Sequence, residues 1–106
     1  MVLFTKEIEE KLQKQYSQGD SFEQDVIVKI FDRCSQWTWY LMNQDPENQD
    51  YLWGIVKGFE IEMGSVSKKE LESIQGKMKL GLERDLYFKP LKAKEVWEKL
   101  NRGDHI

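Results

Sequence analysis

The sequence is short of the residues that most often build a chemical centre. Of its 106 residues, one is cysteine and one is histidine. A lone Cys34 cannot close an internal disulfide, and His105 stands one residue from the end, where chains fray, so a structural zinc site is excluded. No Ser/His/Asp or Cys/His set can be assembled around such a histidine, and Cys34 without a base reads as a small buried or half-buried apolar residue. The glycines at 76 and 81 are too sparse for a phosphate-cradling loop. No apolar run approaches the roughly 20 residues of a membrane helix, and the opening Met1-Val2-Leu3-Phe4 turns to charge at Lys6 too early for a signal peptide. These absences predict a cytoplasmic protein with no membrane association, no cofactor, no metal and no enzymatic activity.

What is present suits a single compact domain over residues 1–106. With 40% hydrophobic and 33% charged residues, a chain of this length buries about two thirds of its unfolded surface. The net charge of −3 is unevenly spread: residues 1–66 carry 6 Lys and Arg against 12 Asp and Glu, and residues 67–106 carry 10 against 7. The basic residues of the last third, Lys77, Lys79, Arg84, Lys89, Lys92 and Lys94, either interleave with acids on solvated faces or gather as a patch.

The pattern along the chain predicts helix, then strands, then helices. Thr5 caps a helix over Lys6 to Tyr16, with acids in its first turn and Ile8, Leu12 and Tyr16 on one face. The run Val26 to Phe31 is a near-continuously apolar strand, followed by Trp37 to Met42 with aromatic bulk on both faces. Asn43 to Asp50 reads as an exposed connection. Tyr51 to Lys57 and Phe59 to Met63 form a hairpin turning at Gly58, and Gly54 inside the first of these strands implies a bulge or a close approach by another backbone or ring. Ser67 and Glu70 form a capping box, with Val66 stapled to Leu71, for a helix over Lys68 to Gln75 stopped by Gly76. Leu82 to Phe88 is extended, and a last helix runs from Ala93 to Asn101 beyond Pro90. The expected class is α+β: an antiparallel sheet of four to five strands, with an N-terminal helix and two C-terminal helices packed on one face. Nothing in the pattern specifies strand order.

Candidate acid/base pairs are Glu60 with Glu62 and Glu83 with Asp85 around Arg84, but alternating acids on a strand ordinarily mark its wet face. The residues that stand out for binding are Arg84, Asp85, Tyr87, Lys89, Trp97, Trp39 and Tyr40. Rings interleaved with lysines are the ingredients of single-strand binding, whereas an acidic pI of about 5.2 works against polyanions. Four Trp, four Tyr and five Phe exceed what the inner faces of so small a domain easily hide, which points to rings left at a surface as protein-binding anchors.

Several short steps carry a resemblance. Phe4-Thr5-Lys6-Glu7, Lys29-Ile30-Phe31 and Thr38-Trp39-Tyr40 each match steps of one small family. Leu71 to Gly76 and Gly81 to Pro90, written L-E-S-I-Q-G and G-L-E-R-D-L-Y-F-K-P, match it most specifically. Over nearly its whole length the chain resembles Domain of Unknown Function 2958, a family of bacterial, plasmid and phage proteins with no established catalytic residues. It departs from the family at Gly64-Ser65-Val66-Ser67-Lys68, which lacks the aromatic residue usual before the second helix. The resemblance implies an accessory gene of phage or other mobile genetic elements. With an acidic first two thirds that suits a basic partner, it implies a protein-binding inhibitor of a host defence complex or nuclease, anti-CRISPR-like or otherwise anti-defence. The alternatives are a nucleic-acid-binding domain and a nucleotide sponge in which Arg84, Lys89 and ring faces cradle the ligand. The ring surplus also makes a homodimer a reasonable arrangement.

Overall fold

The computed structural model describes residues 1–77 and 81–106. Helix α1 spans Lys6–Lys14, and its first turn is fixed by the Thr5 hydroxyl, which accepts from the Ile8 N–H at 3.2 Å. A short 3-10 turn, Tyr16–Gln18, leads to strands β1 (Asp25–Val26), β2 (Val28–Asp32), β3 (Thr38–Gln44), β4 (Tyr51–Lys57) and β5 (Ile61–Ser67). Helix α2 covers Lys68–Lys77, followed by β6 (Leu82–Arg84), β7 (Leu91–Lys92) and α3 (Ala93–Asn101). The main sheet has the order β5-β4-β3-β2-β6 with every neighbour antiparallel, and β1 pairs with β7 in a separate two-stranded ribbon.

Both faces of the sheet are covered, which is why β2 and β3 read as almost unbroken apolar runs. Alternation along β3 sends Trp39 and Leu41 to a core with Phe4, Leu12, Leu52 and Leu71, beneath α1 and α2. Tyr40 and Met42 point to a second core with Val26, Ile55, Val96 and Leu100, beneath α3. The α+β class, the antiparallel sheet and the terminal helices agree with the sequence reading. The helices divide between the faces because Phe88, after β6, packs on Tyr40 with ring centroids 6.3 Å apart and leads the chain to the second face.

A bulge interrupts the β3–β4 ladder: Leu41 opposes Gly54, whereas Asn43 opposes Trp53 and Gln44 opposes Leu52. Two residues, Met42 and Asn43, thus face one on the partner strand, and the alternation shifts by one position. Gln44 consequently turns toward α1, donating to Glu9 at 2.8 Å and accepting from Gln13 at 2.9 Å. Gly54 sits beside this bulge under a close backbone: a Cβ there would lie 2.9 Å from the Leu41 Cα and collide with the Tyr40 carbonyl oxygen. The close approach expected at Gly54 is therefore present.

Several boundaries differ from expectation for local reasons. The strand expected over Val26–Phe31 splits at Ile27, whose N–H donates to the Leu41 carbonyl at 2.9 Å while Val26 pairs with Leu91 of the ribbon. Asn43 and Gln44, assigned to an exposed connection, are buried strand residues held by side-chain bonds. The second strand of the hairpin starts at Ile61, leaving Phe59 in the turn, and α2 continues through Gly76 to Lys77. The second acceptor at the start of α2 is Asp50: its carboxylate takes the Ser67 hydroxyl at 2.9 Å and the Lys69 N–H at 2.8 Å, which lowers its pKa. Cys34, expected to be at least half-buried, is exposed in the β2–β3 turn.

Candidate docking site

Strand β6 is one edge of the main sheet, paired on one side by β2, with Ile30 opposite Arg84 and Phe31 opposite Glu83. The register places Arg84 on the α1 face with Ile30, and Glu83 and Asp85 on the face of Phe31 and Lys29. After Arg84 the expected strand ends, because Asp85 closes a turn. The Asp85 N–H donates to the Lys29 carbonyl at 2.9 Å, and its own carboxylate accepts from the Tyr87 N–H at 2.9 Å. This Asx geometry carries Leu86 and Tyr87 away from the sheet.

A partly buried polar cluster stands under the turn. The Lys29 ammonium lies 3.5 Å from the Asp85 carboxylate and donates to the main-chain oxygen of Ile106 at 2.6 Å. The Tyr40 hydroxyl donates to the same oxygen at 3.1 Å, and the Lys29 ammonium is 5.9 Å from the Tyr40 ring centroid. Tyr40 is only 2% exposed. Burial, with a smaller contribution from the Asp85 charge, pushes its pKa up to about 12. Met1 crosses the edge strand, its sulfur accepting from the Arg84 N–H at 3.1 Å. Met1 is 59% exposed, Leu86 65% and Tyr87 93%, so large apolar groups stand in water along one edge. Between them lies a depression of about 280 Å³ that also touches Phe31, Glu83 and Lys29. A second depression of about 230 Å³ lies against Ile8, Ile27 and Val28 and shares Arg84, Asp85 and Leu86 with the first. The Arg84 Nε is buried without a hydrogen-bond partner.

Of the residues singled out from sequence, Arg84, Asp85 and Tyr87 come together at this edge. Lys89 is exposed farther along the same segment. Tyr40 is not a surface residue: it supports the turn from beneath. Trp39 is likewise buried in the opposite core, and Trp97 packs on Phe22 with centroids 5.7 Å apart on the α3 side. Among the described basic side chains of the last third, Lys92 bonds the Glu23 carbonyl at 2.7 Å and lies on the ribbon, and Lys94 is exposed in the first turn of α3; Lys79 and the side chain of Lys77 are outside what is described. Glu83 faces Arg33 at 3.1 Å, Glu60 lies in the β4–β5 turn and Glu62 is exposed on β5. The candidate acid pairs are thus separated or matched with cations. Among the described residues no cluster of three His, Cys, Asp or Glu could hold a metal ion, and no helix is long and apolar enough to cross a membrane.

Sequence reading missed Met1, Leu86 and Lys29 as parts of this edge. The available signal was Asp85, a turn opener, with two large apolar residues directly after it and no local element to bury them before Pro90. Phe59 was missed as well; it is 97% exposed at the hairpin tip and meets Trp37 edge-on with centroids 5.8 Å apart. The model of the family described as Protein of unknown function (DUF2958) matches residues 3–105. The chain belongs to the DUF2958 family. No curated protein and no solved structure matches it. Within this DUF2958 chain, the segment Gly81 to Pro90 contains the edge strand β6 and the exposed turn after it.

Proposed function

We propose that this protein is a non-enzymatic binding module that docks a protein partner along the β6 edge. The reading rests on one observation: Met1, Leu86 and Tyr87 stand exposed around a depression whose floor is braced by the Lys29–Asp85 ion pair. A tyrosine presented by a rigid turn gives large contact area at small entropic cost, and a rim that mixes Glu83, Arg84 and Lys29 supplies orientation. The bracing matters because a turn held in its bound shape loses little freedom on binding.

The partner class follows from charge and family context together. Exposed acids on α1, Glu7 and Glu10, and in the β3–β4 turn, Glu47, belong to the acidic portion of the chain. They favour approach to a basic surface such as the nucleic-acid groove of a nuclease, where carboxylates substitute for phosphates. For an accessory gene of phages and mobile elements, the corresponding role is inhibition of a host defence complex. Affinity capture from a defence-equipped host lysate tests this. The tagged wild type retains a discrete host protein, and Tyr87→Ala with Leu86→Ser releases it while Glu98→Ala, on exposed α3 surface, does not. Retention that ignores the β6-edge variants overturns the docking assignment.

A further inference from the structure

A separate concavity lies where the β3–β4 hairpin meets the turn after α1, and it shares no lining residue with the β6 edge. It is an open concavity of about 480 Å³ lined by Tyr16, Gly19, Asp20, Asn43, Tyr51 and Trp53. Three of these are aromatic, one is a carboxylate and none is cationic. Tyr16 and Tyr51 meet edge to face, with centroids 6.4 Å apart and planes at 85°. Trp53 stands two positions after Tyr51 on β4 and shares its face of the sheet. Its indole Nε1 is buried and has no hydrogen-bond partner.

The walls are built rather than incidental. The β3 bulge aims Asn43 at the turn after α1, where its amide donates to the Gly19 carbonyl and to Gln24 Oε1, each at 2.9 Å. Gln24, itself buried, donates to the carbonyls of Gly19 at 2.8 Å and Ser21 at 2.9 Å. Gly19 has φ of 56°, a left-handed conformation that a side chain would strain. These bonds pin the backbone on both sides of Asp20. On the rim, the Asp45 carboxylate beside Tyr16, with lesser contributions from burial, Tyr51 and Glu47, raises the Tyr16 pKa. Aromatic rings, an exposed carboxylate on a pinned backbone and a negative rim form a receptor for a cation. Ring faces suit an organic cation that brings an apolar stem better than a hydrated inorganic ion.

We infer that this cavity receives a basic side chain, arginine or lysine, from a polypeptide. The cationic head lies against Tyr16 and Tyr51 with Asp20 as counter-charge, and the apolar stem of the side chain covers the Trp53 ring. The inference is independent of the β6 edge and stands or falls without it.

The test is a nuclear magnetic resonance titration of the full chain, tracking the indole N–H signal of Trp53, assigned by Trp53→Phe. The probe is a blocked Gly-Gly-Arg-Gly-Gly peptide, with citrulline in place of arginine as the uncharged isostere. The expected result is a saturable shift of the Trp53 signal, with binding about tenfold weaker for citrulline and for Asp20→Asn, and weaker again for Tyr51→Ala. Asp20 is exposed, so Asp20→Asn keeps the test valid if Tyr51→Ala perturbs the fold. No saturable shift, equal affinity for both peptides, an unaffected Asp20→Asn protein, or equal shifts of all four indole signals would each overturn the assignment.

Discussion

Raising the pH should unlock the Tyr40 support, and the size of the effect is set by its surroundings. The hydroxyl is buried against Asp85 and the Ile106 oxygen, and its pKa rises from 10.0 to about 12. The folded state therefore holds the proton more tightly than the unfolded chain. Tyr40's neutral-form stability is intact below pH 10 and is lost progressively as pH climbs through the folded value near 12. At about 1.4 kcal/mol per pKa unit, this residue removes about 1.4 kcal/mol by pH 11 and approaches twice that well above pH 12. Tyr40→Phe should lower stability at neutral pH by about 1 kcal/mol through the lost hydrogen bond and should flatten the alkaline limb by about 1.4 kcal/mol at pH 11. Urea unfolding of both proteins at about pH 8, 10 and 11 isolates the contribution, because the remaining tyrosines and lysines are common to both. If the two stabilities fall in parallel between pH 10 and 11, Tyr40 is not held neutral by burial, and the support assigned to the turn is wrong.

Gly54→Ala should destabilise the fold by about 1–3 kcal/mol, since both obstructing groups are backbone atoms of β3 that cannot swing aside; thermal unfolding reads this out. Thr5→Ala should cost about 1 kcal/mol through loss of the α1 cap, with Thr5→Ser nearly neutral. Gln24→Ala should cost about 1–3 kcal/mol by stranding the Ser21 carbonyl and removing one of the two bonds at the Gly19 carbonyl and at the Asn43 amide. It should also speed amide exchange at residues 19–21. Asp50 carries a lowered pKa as the acceptor for Ser67 and Lys69, so its contribution is present above the ordinary carboxylate range and fades as pH falls through the folded value. Asp50→Asn should therefore show a weaker acid-induced loss of stability than the wild type, as circular dichroism against pH would register.

Local chemistry made much of the fold readable. Thr5 and Ser67 marked two helix starts, Pro90 marked the approach to α3, and the span of β4 was legible from Tyr51 to Lys57. The features that escaped reading were set by distant partners. Asn43 and Gln44 look like loop residues because they are amides, and they are buried only because a bulge aims them at Gly19, Gln24 and Glu9. The edge position of β6 depends on strand order, which no local pattern encodes. The exposed turn was half legible: Arg84, Asp85 and Tyr87 stood out as charge and ring, whereas Met1 joins them only through contact across 83 positions of chain. Tyr40 and Trp39 drew attention as rings, yet burial on the two faces of β3 leaves them as core residues.

Site-specific photo-crosslinking tests the docking assignment most directly. A photoreactive phenylalanine analogue in place of Tyr87, in the full chain expressed in a defence-equipped host, should form one discrete adduct with a host protein. The same group at position 98 on α3 should form none. Adducts at both positions alike, or none at position 87 while affinity capture still succeeds, would contradict the claim that the β6 edge is where this protein meets its partner.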